Sequence, residues 1–302
     1  MQKKVKYFEW SYAFIAVLTI LAYLLNPGIS NSEAKKPILW LHPDFPPIYI
    51  VKGPGAGSGL GDKVSKYIFK NLPDYRHTQK VSNFKRIIKT ISAGKNVCSM
   101  VLLKNSDREK VVAYSEQILA SPQNAIITSK RLLPLFSPLS NSHGAISLKE
   151  LLQQSDLILG YSLGRSYSSE VDKTIRKYAN SKNSVVTSGV NIFEGVMKML
   201  KFRRIDYTIG YAYEGEYMAR HLGFKEEIIS IPLQEHPSLV PVYVGCPKTE
   251  WGYTILAKLN PIILSLRLNP DFYGIYKEWM DSSAWVRYEN MITEHFKPKT
   301  AQ

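Results

Sequence analysis

Only two cysteines, Cys98 and Cys246, occur in the 302 residues. That scarcity excludes a disulfide-dense scaffold and any four-thiolate zinc site. Histidine is sparse as well, with six residues at 42, 77, 143, 221, 236 and 295. None forms H-E-x-x-H and none lies near a cysteine, so no metal site is expected. Acidic side chains are few: 25 Asp and Glu stand against 39 Lys and Arg, a net charge of +14. Such a balance suits anionic surfaces or ligands without specifying a fold. The basic residues come as pairs such as Lys85-Arg86, Lys130-Arg131 and Arg203-Arg204, not as a stripe. With no recognition motif beside them, nucleic acid is not expected as a partner. Low-complexity tracts and solenoid-period repeats are also missing. What remains is 45% apolar, 12% aromatic and 21% charged, a core-forming composition that excludes a disordered or collagenous chain. The length exceeds one average domain, so two lobes are expected.

One long hydrophobic run is present. Lys3, Lys4 and Lys6 precede an apolar stretch from Tyr12 to Leu25, followed by the breaker Asn26-Pro27-Gly28 and the small residues of Ser32-Glu33-Ala34. This basic, greasy, small order is that of a secretory signal. The run of about 14 residues falls short of the ~20 that span a bilayer as a helix. Residues 1–34 are therefore expected to be an export signal and the rest to be periplasmic, with an uncleaved anchor as the alternative. No cysteine follows the run, so a lipid anchor is not expected. In an oxidising compartment the two cysteines either form one disulfide or stay as buried thiols. Both sit in extended-looking runs, Val97-Cys98-Ser99 and Val244-Gly245-Cys246. A bridge would put these distant segments in one lobe, with the chain leaving that lobe and coming back.

Strand and helix patterns alternate along the rest. Ile38–Leu41 reads as a strand, Phe45–Val51 as an irregular loop and second strand, and Asp62 as the cap of a helix carrying Val64, Tyr67 and Ile68. Phe84, Ile87, Ile88 and Ile91 keep helical spacing up to Gly94. Residues 97–103 and 125–128 read as strands. From about 130 the pattern restarts, with strands at 157–160, 185–186, 205–209 and 228–231 and helices between them; the tail from Trp251 to Trp285 is mostly helical. Such alternation predicts an α/β fold with largely parallel sheets. Two α/β lobes with a late return to the first make a hinged cleft, and ligands of such sheets sit beyond the strands' carboxyl ends.

Several motifs compete for the chemistry. Gly160-Tyr161-Ser162-Leu163-Gly164 matches the G-x-S-x-G nucleophile elbow between a strand and a helix, and Asp206 with His221 or His236 could complete a serine hydrolase. Against it, no glycine-rich oxyanion run stands upstream, and a strand-to-helix turn explains the glycines equally. The Gly-rich stretch from Gly53 to Gly61 fits neither a P-loop nor a dinucleotide fingerprint, so a surface loop is expected. Arg108 follows the strand at 97–103 by a few polar residues, which places it near the strand's carboxyl end, where its fork could hold a carboxylate or phosphate. The alternative is a surface arginine between Asp107 and Glu109. Arg165 and Ser166 open the following helix, where free amides favour an anion.

These residues together resemble the extracellular solute-binding proteins of family 3, which serve polar amino-acid uptake. Asn105-Ser106-Asp107-Arg108-Glu109 through Tyr114-Ser115 is similar to that family's T-x-x-E-R…F-S segment. Leu159 to Tyr167 is similar to its second-lobe V-G-x-x-x-G-T turn, Arg203-Arg204-Ile205-Asp206-Tyr207 to its G-R-V-D-A, and Tyr243–Lys248 to the strand that re-enters the first lobe. The resemblance spans 36–290 in order and points to a divergent branch with a D-F-P-P opening and a Cys pair. It implies a two-lobed periplasmic binding protein-like fold of type II. Lobe 1 would comprise 35–128 and 240–302, joined by a Cys98–Cys246 bridge, and lobe 2 would comprise 129–239. It implies that Arg108 grips the ligand's carboxylate and that Arg165-Ser166 forms the second anion turn. The family's ammonium-binding Asp is replaced by Tyr211. An anionic or aromatic-compatible solute is therefore expected, with Phe45, Tyr161 and Tyr211 as stacking surfaces. The expected role is capture of a small solute for an ABC-type permease or a sensor, by a monomer without catalysis or cofactor. A receptor module with the same fold and no transport partner is the further alternative.

Overall fold

The computed structural model describes residues 34–296 apart from 54, 155, 236, 237 and 281. The amino-terminal segment read as an export signal and His236 lie outside the described residues. Among the described residues, no helix is long and apolar enough to cross a membrane.

From Pro37 onward the chain is one compact unit built on two five-stranded sheets. Its strands are β1 Lys36–His42, β2 Tyr75–Val81, β3 Val97–Leu103, β4 Val112–Pro122, β5 Asn124–Ser129, β6 Leu159–Ser162, β7 Ser184–Thr187, β8 Tyr207–Tyr211, β9 Ile228–Pro232 and β10 Leu239–Pro247. The first sheet runs β2-β1-β3-β10-β4 and the second β7-β6-β8-β5-β9. The two orders are the same pattern. In each, a parallel core (β1 with β3; β6 with β7 and β8) is flanked by a strand that has just crossed from the other sheet and pairs antiparallel on both sides. Both crossings lie together. Only Gln123 separates β4 from β5, residues 233–238 separate β9 from β10, and Leu239 is opposite Pro122 in the ladder. The expected first segment extended to residue 128, but β5 pairs with β8 and β9, so the chain changes sheets at Gln123.

The helices are α1 Leu60–Asn71, α2 Phe84–Ser92, the single turn α3 Ser106–Glu109, α4 Leu133–Phe136, α5 Leu148–Gln154, α6 Ser169–Tyr178, α7 Glu194–Lys201, α8 Ala212–His221, α9 Glu250–Leu268, α10 Pro270–Lys277 and α11 Ser282–Phe296. Local chemistry explains their ends. Asn83 Oδ1 accepts from Arg86 N at 2.9 Å to start α2, and Gly94, at φ +70°, stops it. Asp62 does not cap α1 from its N-cap position. It sits one turn in and reaches back to the Gly59 and Ile50 amides, 3.1 Å each. α2 buries Phe84, Ile87 and Ile91, and α9 buries Ile255, Leu259, Ile263 and Leu266 on the first sheet. Full burial of one such side chain is worth about 1.5–3 kcal/mol.

One strand expectation changed and the expected bridge is present. Residues 48–51 form no strand: Phe45 and Tyr49 make an isolated bridge, and the second strand is Tyr75–Val81, whose polar sequence hides it. Cys98 and Cys246 are bridged, both fully buried on the neighbouring strands β3 and β10. The bond closes a loop of 148 residues.

Candidate functional site

β3 carries an irregularity that shapes the site. Tyr243 pairs with Leu102 but Gly245 with Ser99, so β3 holds one extra residue there. Val101 takes φ +55°, which a β-branched side chain rarely adopts. A bulge of this kind re-aims side chains, and Val101 lines the cavity between the sheets. That cavity is also lined by Phe45, Phe84, Leu103, Arg108, Ser121, Arg165, Ser166, Tyr211 and Tyr213, and its volume is ≈ 20 Å³. Such a space holds about one water, so a solute enters only when the sheets part.

Five of the six expected ligand residues meet there: Phe45, Arg108, Arg165, Ser166 and Tyr211. The sixth, Tyr161, lines an adjoining open groove together with Lys85, Asp107, Asp172 and Arg176.

Arg108 is not the exposed surface arginine of the alternative reading, being 5% accessible. Asn105 caps its one-turn helix through Arg108 N at 2.9 Å. The guanidinium donates to Leu103 O at 3.0 Å and, across to the other lobe, to Gly164 O at 2.9 Å. Both acceptors are neutral, and among the described residues no carboxylate pairs with it. Burial pushes its pKa below the ordinary arginine value, with Tyr114 and Asp172 acting against the shift; the group stays charged all the same.

Arg165 is different. It makes a two-pronged pair with Glu214, Nη1 to Oε1 at 2.8 Å and Nη2 to Oε2 at 2.7 Å, both side chains buried. Phe45, Tyr167, Phe193 and Tyr211 surround it, with its guanidinium carbon 4.7–5.8 Å from their ring centres. Burial alone would lower its pKa, and the Glu214 carboxylate more than reverses this. The charge of Arg165 is spent inside the protein.

The amide turn at Ser166 is also occupied from within. Asp172, in the first turn of α6, accepts from Ser166 Oγ, from Tyr167 N at 2.8 Å and from Asn105 Nδ2 at 3.0 Å. The expected anion site at Arg165-Ser166 therefore has its anions in place, Glu214 for the side chain and Asp172 for the helix start. Asn105 belongs to the first lobe and Asp172 to the second, so this contact ties the lobes together, as do the Asp107–Arg176 ion pair and the Asp44 N to Val190 O bond at 3.0 Å.

The rings expected to stack on a solute instead stack on one another. Phe45 faces Tyr211 at 6.5 Å and Phe84 edge-on at 6.1 Å, while Tyr211 lies parallel to Tyr213 at 5.3 Å. They form the wall of the cavity.

Among the described residues nothing supports the serine hydrolase alternative, whose candidate His236 lies outside them. Ser162 ends β6, buried, and its hydroxyl donates to Ile192 O. Asp206 accepts from the Ile158 amide at 2.9 Å, and no hydrogen bond joins Ser162, Asp206 and His221. The glycines have other work. A Cβ on Gly160 would come within 2.3 Å of Ile205 Cδ1, and one on Gly164, at φ +78°, within 2.9 Å of Lys85 N in the other lobe.

Glu214, Asp172 and Asn105 were not singled out from the sequence. Glu214 stands three residues after Tyr211, and its Oε2 also accepts from Tyr211 N at 3.2 Å. An acid at the third position of a helix is a capping signal, and it conceals the ion pair.

No family model and no curated protein matches the chain. Solved structures do. An ancestral arginine-binding protein bound to arginine superposes with TM-score 0.61 at 19% identity, covering 82% of this chain and 99% of that one. A substrate-binding protein of an ABC uptake transporter from Streptococcus pneumoniae, with bound histidine, gives 0.62 at 15% identity, covering 82% and 94%. A histidine kinase sensor domain with similarity to periplasmic binding proteins gives 0.62 at 12% identity, covering 82% and 96%. The chain thus has the two-lobed, type II periplasmic binding protein-like fold.

Proposed function

We propose that the chain is a periplasmic solute-binding protein that closes its two lobes over a small carboxylate and presents it to an ABC-type permease or a membrane sensor. Arg108 carries this reading: a buried, charged guanidinium beside the cavity, hydrogen-bonded among the described residues only to neutral carbonyls. A carboxylate arriving there would take the guanidinium's free edge and neutralise it. Phe45, Phe84 and Tyr211 supply apolar walls for the remainder of the solute.

Two of the solved proteins named above hold arginine or histidine. For this chain the solute is a carboxylate without an α-ammonium. The described residues lining the cavity include Arg108 and Arg165 but no acid, and Tyr211 stands where the resembled family has its ammonium-binding Asp. Glu214 is the nearby acid, and Arg165 already holds both its oxygens. An ammonium placed in the cavity would lose its water and gain no counter-charge. Binding needs no chemistry from Ser162, so no catalytic step is assigned.

The test is a thermal-shift screen of simple carboxylates, among them benzoate, phenylacetate and phenylpyruvate, against phenylalanine, arginine and histidine. A shift with carboxylates that exceeds that with the matching amino acids is the expected result. Shifts with amino acids alone would refute the solute class and leave the binding role; no shift with either, and no compaction by solution scattering, would refute the binding role.

A further inference from the structure

α9 is apolar on two opposite sides. Its inner side buries Ile255, Leu259, Ile263 and Leu266 on the first sheet. Its outer side carries Tyr253, Ala257, Pro261, Leu264 and Leu268, all exposed. At about 100° per residue these five fall within an arc of about 80°. Leu268 is 81% accessible, more than any other large apolar side chain among the described residues, with Tyr253 at 55% and Leu264 at 44%. Charge is kept off the arc: Glu250 stands at its amino end and Lys258 on its flank. A surface helix ordinarily turns polar residues outward, and a contiguous exposed apolar patch marks a contact surface.

The order of residues along the stripe says what fits it. Tyr253 and Leu268 lie equally far from the midpoint between Asn260 and Pro261, and so do Ala257 and Leu264. An identical helix laid antiparallel across a two-fold axis therefore sets the ring of Tyr253 beside Leu268 of the other copy. The same placement seats the large Leu264 on the small Ala257, ridge into groove. Lipid fits less well. Pro261 stands inside the helix and brings no N–H to the Ala257 carbonyl, and hydrocarbon offers no donor in its place. A second copy brings its Asn260 to the axis. That side chain's oxygen accepts from Glu116 N at 2.8 Å, and its amide nitrogen can donate.

We infer that the outer stripe of α9 is a two-fold contact with a second copy of this chain. The stripe measures about 22 Å by about 10 Å, far below the ~800 Å² per partner of a stable complex. The dimer is accordingly weak: it forms at about 0.1–1 mM, and at about 1 μM the chain is the expected monomer. The contact is independent of the carboxylate reading, because no stripe residue lines the candidate cavity or its adjoining groove.

Sedimentation velocity of the full chain across that concentration range tests the association, and cross-linking through an added cysteine tests its geometry. Cys98 and Cys246 are bonded to each other, so one added thiol reports alone. Pro261→Cys lies at the axis and should give a covalent dimer under mild oxidation. Leu268→Cys should not, because antiparallel helices hold its two copies about 22 Å apart, beyond the ~7 Å that a disulfide spans. Combining Leu264→Glu with Leu268→Glu should weaken the dimer at least tenfold, since it sets like charges face to face in an apolar contact, and should leave the monomer's melting temperature unchanged. Each copy carries +14, so added salt should tighten the dimer by screening their repulsion. No dimer at the highest concentration, cross-linking through Leu268→Cys but not Pro261→Cys, or a dimer that survives the double substitution would overturn the inference. So would co-sedimentation with phosphatidylcholine–phosphatidylglycerol vesicles that the double substitution abolishes, which would make lipid the occupant.

Discussion

Truncating Arg108 is the perturbation whose size follows most directly from the structure. Its guanidinium is buried and hydrogen-bonded to Leu103 O and Gly164 O, and the proposed solute supplies its counter-charge. Truncating one side of a buried, hydrogen-bonded charge pair costs about 2–5 kcal/mol. At about 3 kcal/mol the dissociation constant rises about 150-fold. Solute at 100 times its dissociation constant stabilises the native protein by about 2.7 kcal/mol, which for a chain of this size is about 5–11 °C in melting temperature. For Arg108→Ala at the same concentration the gain falls to about 0.3 kcal/mol, or about 1 °C. Arg108→Lys retains a charge without the fork and should fall between. The assay is differential scanning fluorimetry of wild type and variants with and without the solute found in the screen, each variant compared with its own solute-free melt. If Arg108→Ala kept the full shift, the carboxylate would not sit on this guanidinium, and the reasoning from its lack of a counter-ion would be wrong.

Three other outcomes follow from single contacts. Glu214→Gln leaves Arg165 charged, buried and unpaired, and should destabilise the fold by about 3–5 kcal/mol in urea denaturation; a loss below about 1 kcal/mol would mean that the ring cage alone holds the cation. Gly164→Ala adds a Cβ 2.9 Å from Lys85 N at a backbone angle of φ +78°, so solute affinity should drop and scattering should show a less compact complex; unchanged compaction would exclude this turn as the closing contact. Reducing the Cys98–Cys246 bond, which spans 148 residues, should remove up to about 5 kcal/mol in the chain-entropy account, measured as the change in urea-unfolding free energy under reductant. A change near zero would place the bond's effect elsewhere than in the unfolded chain.

Much of the fold was legible because period and composition are local properties. The i, i+3, i+4, i+7 spacing of Phe84, Ile87, Ile88 and Ile91 gave α2 with its end at Gly94, and the apolar runs at 97–103 and 125–128 gave β3 and β5. β2 and β4 were not legible. Tyr75–Val81 alternates among polar residues at the edge of its sheet, with no apolar face to mark it. Val112–Pro122 is interrupted by two shifts of register against β10, which blur its period.

The site divides in the same way. Position along the chain nominated Arg108, Arg165 and Ser166, at a strand end and a helix start, the family resemblance added Phe45 and Tyr211, and the cavity brings the five together. Tyr161 alternates with Gly160 and Ser162 on β6 and faces the neighbouring groove instead.

The sequence by itself determined the alternation of strands and helices, the pair of cysteines available for bonding, and which side chains stand at the strand ends. Only the tertiary structure decided which of two similar arginines keeps a free charge. Arg165 meets Glu214 from 49 residues away, while among the described residues the Arg108 guanidinium finds only carbonyls. Charge compensation is a through-space property acting over a few ångströms, and the sequence interval between two residues does not encode that distance until the chain has folded.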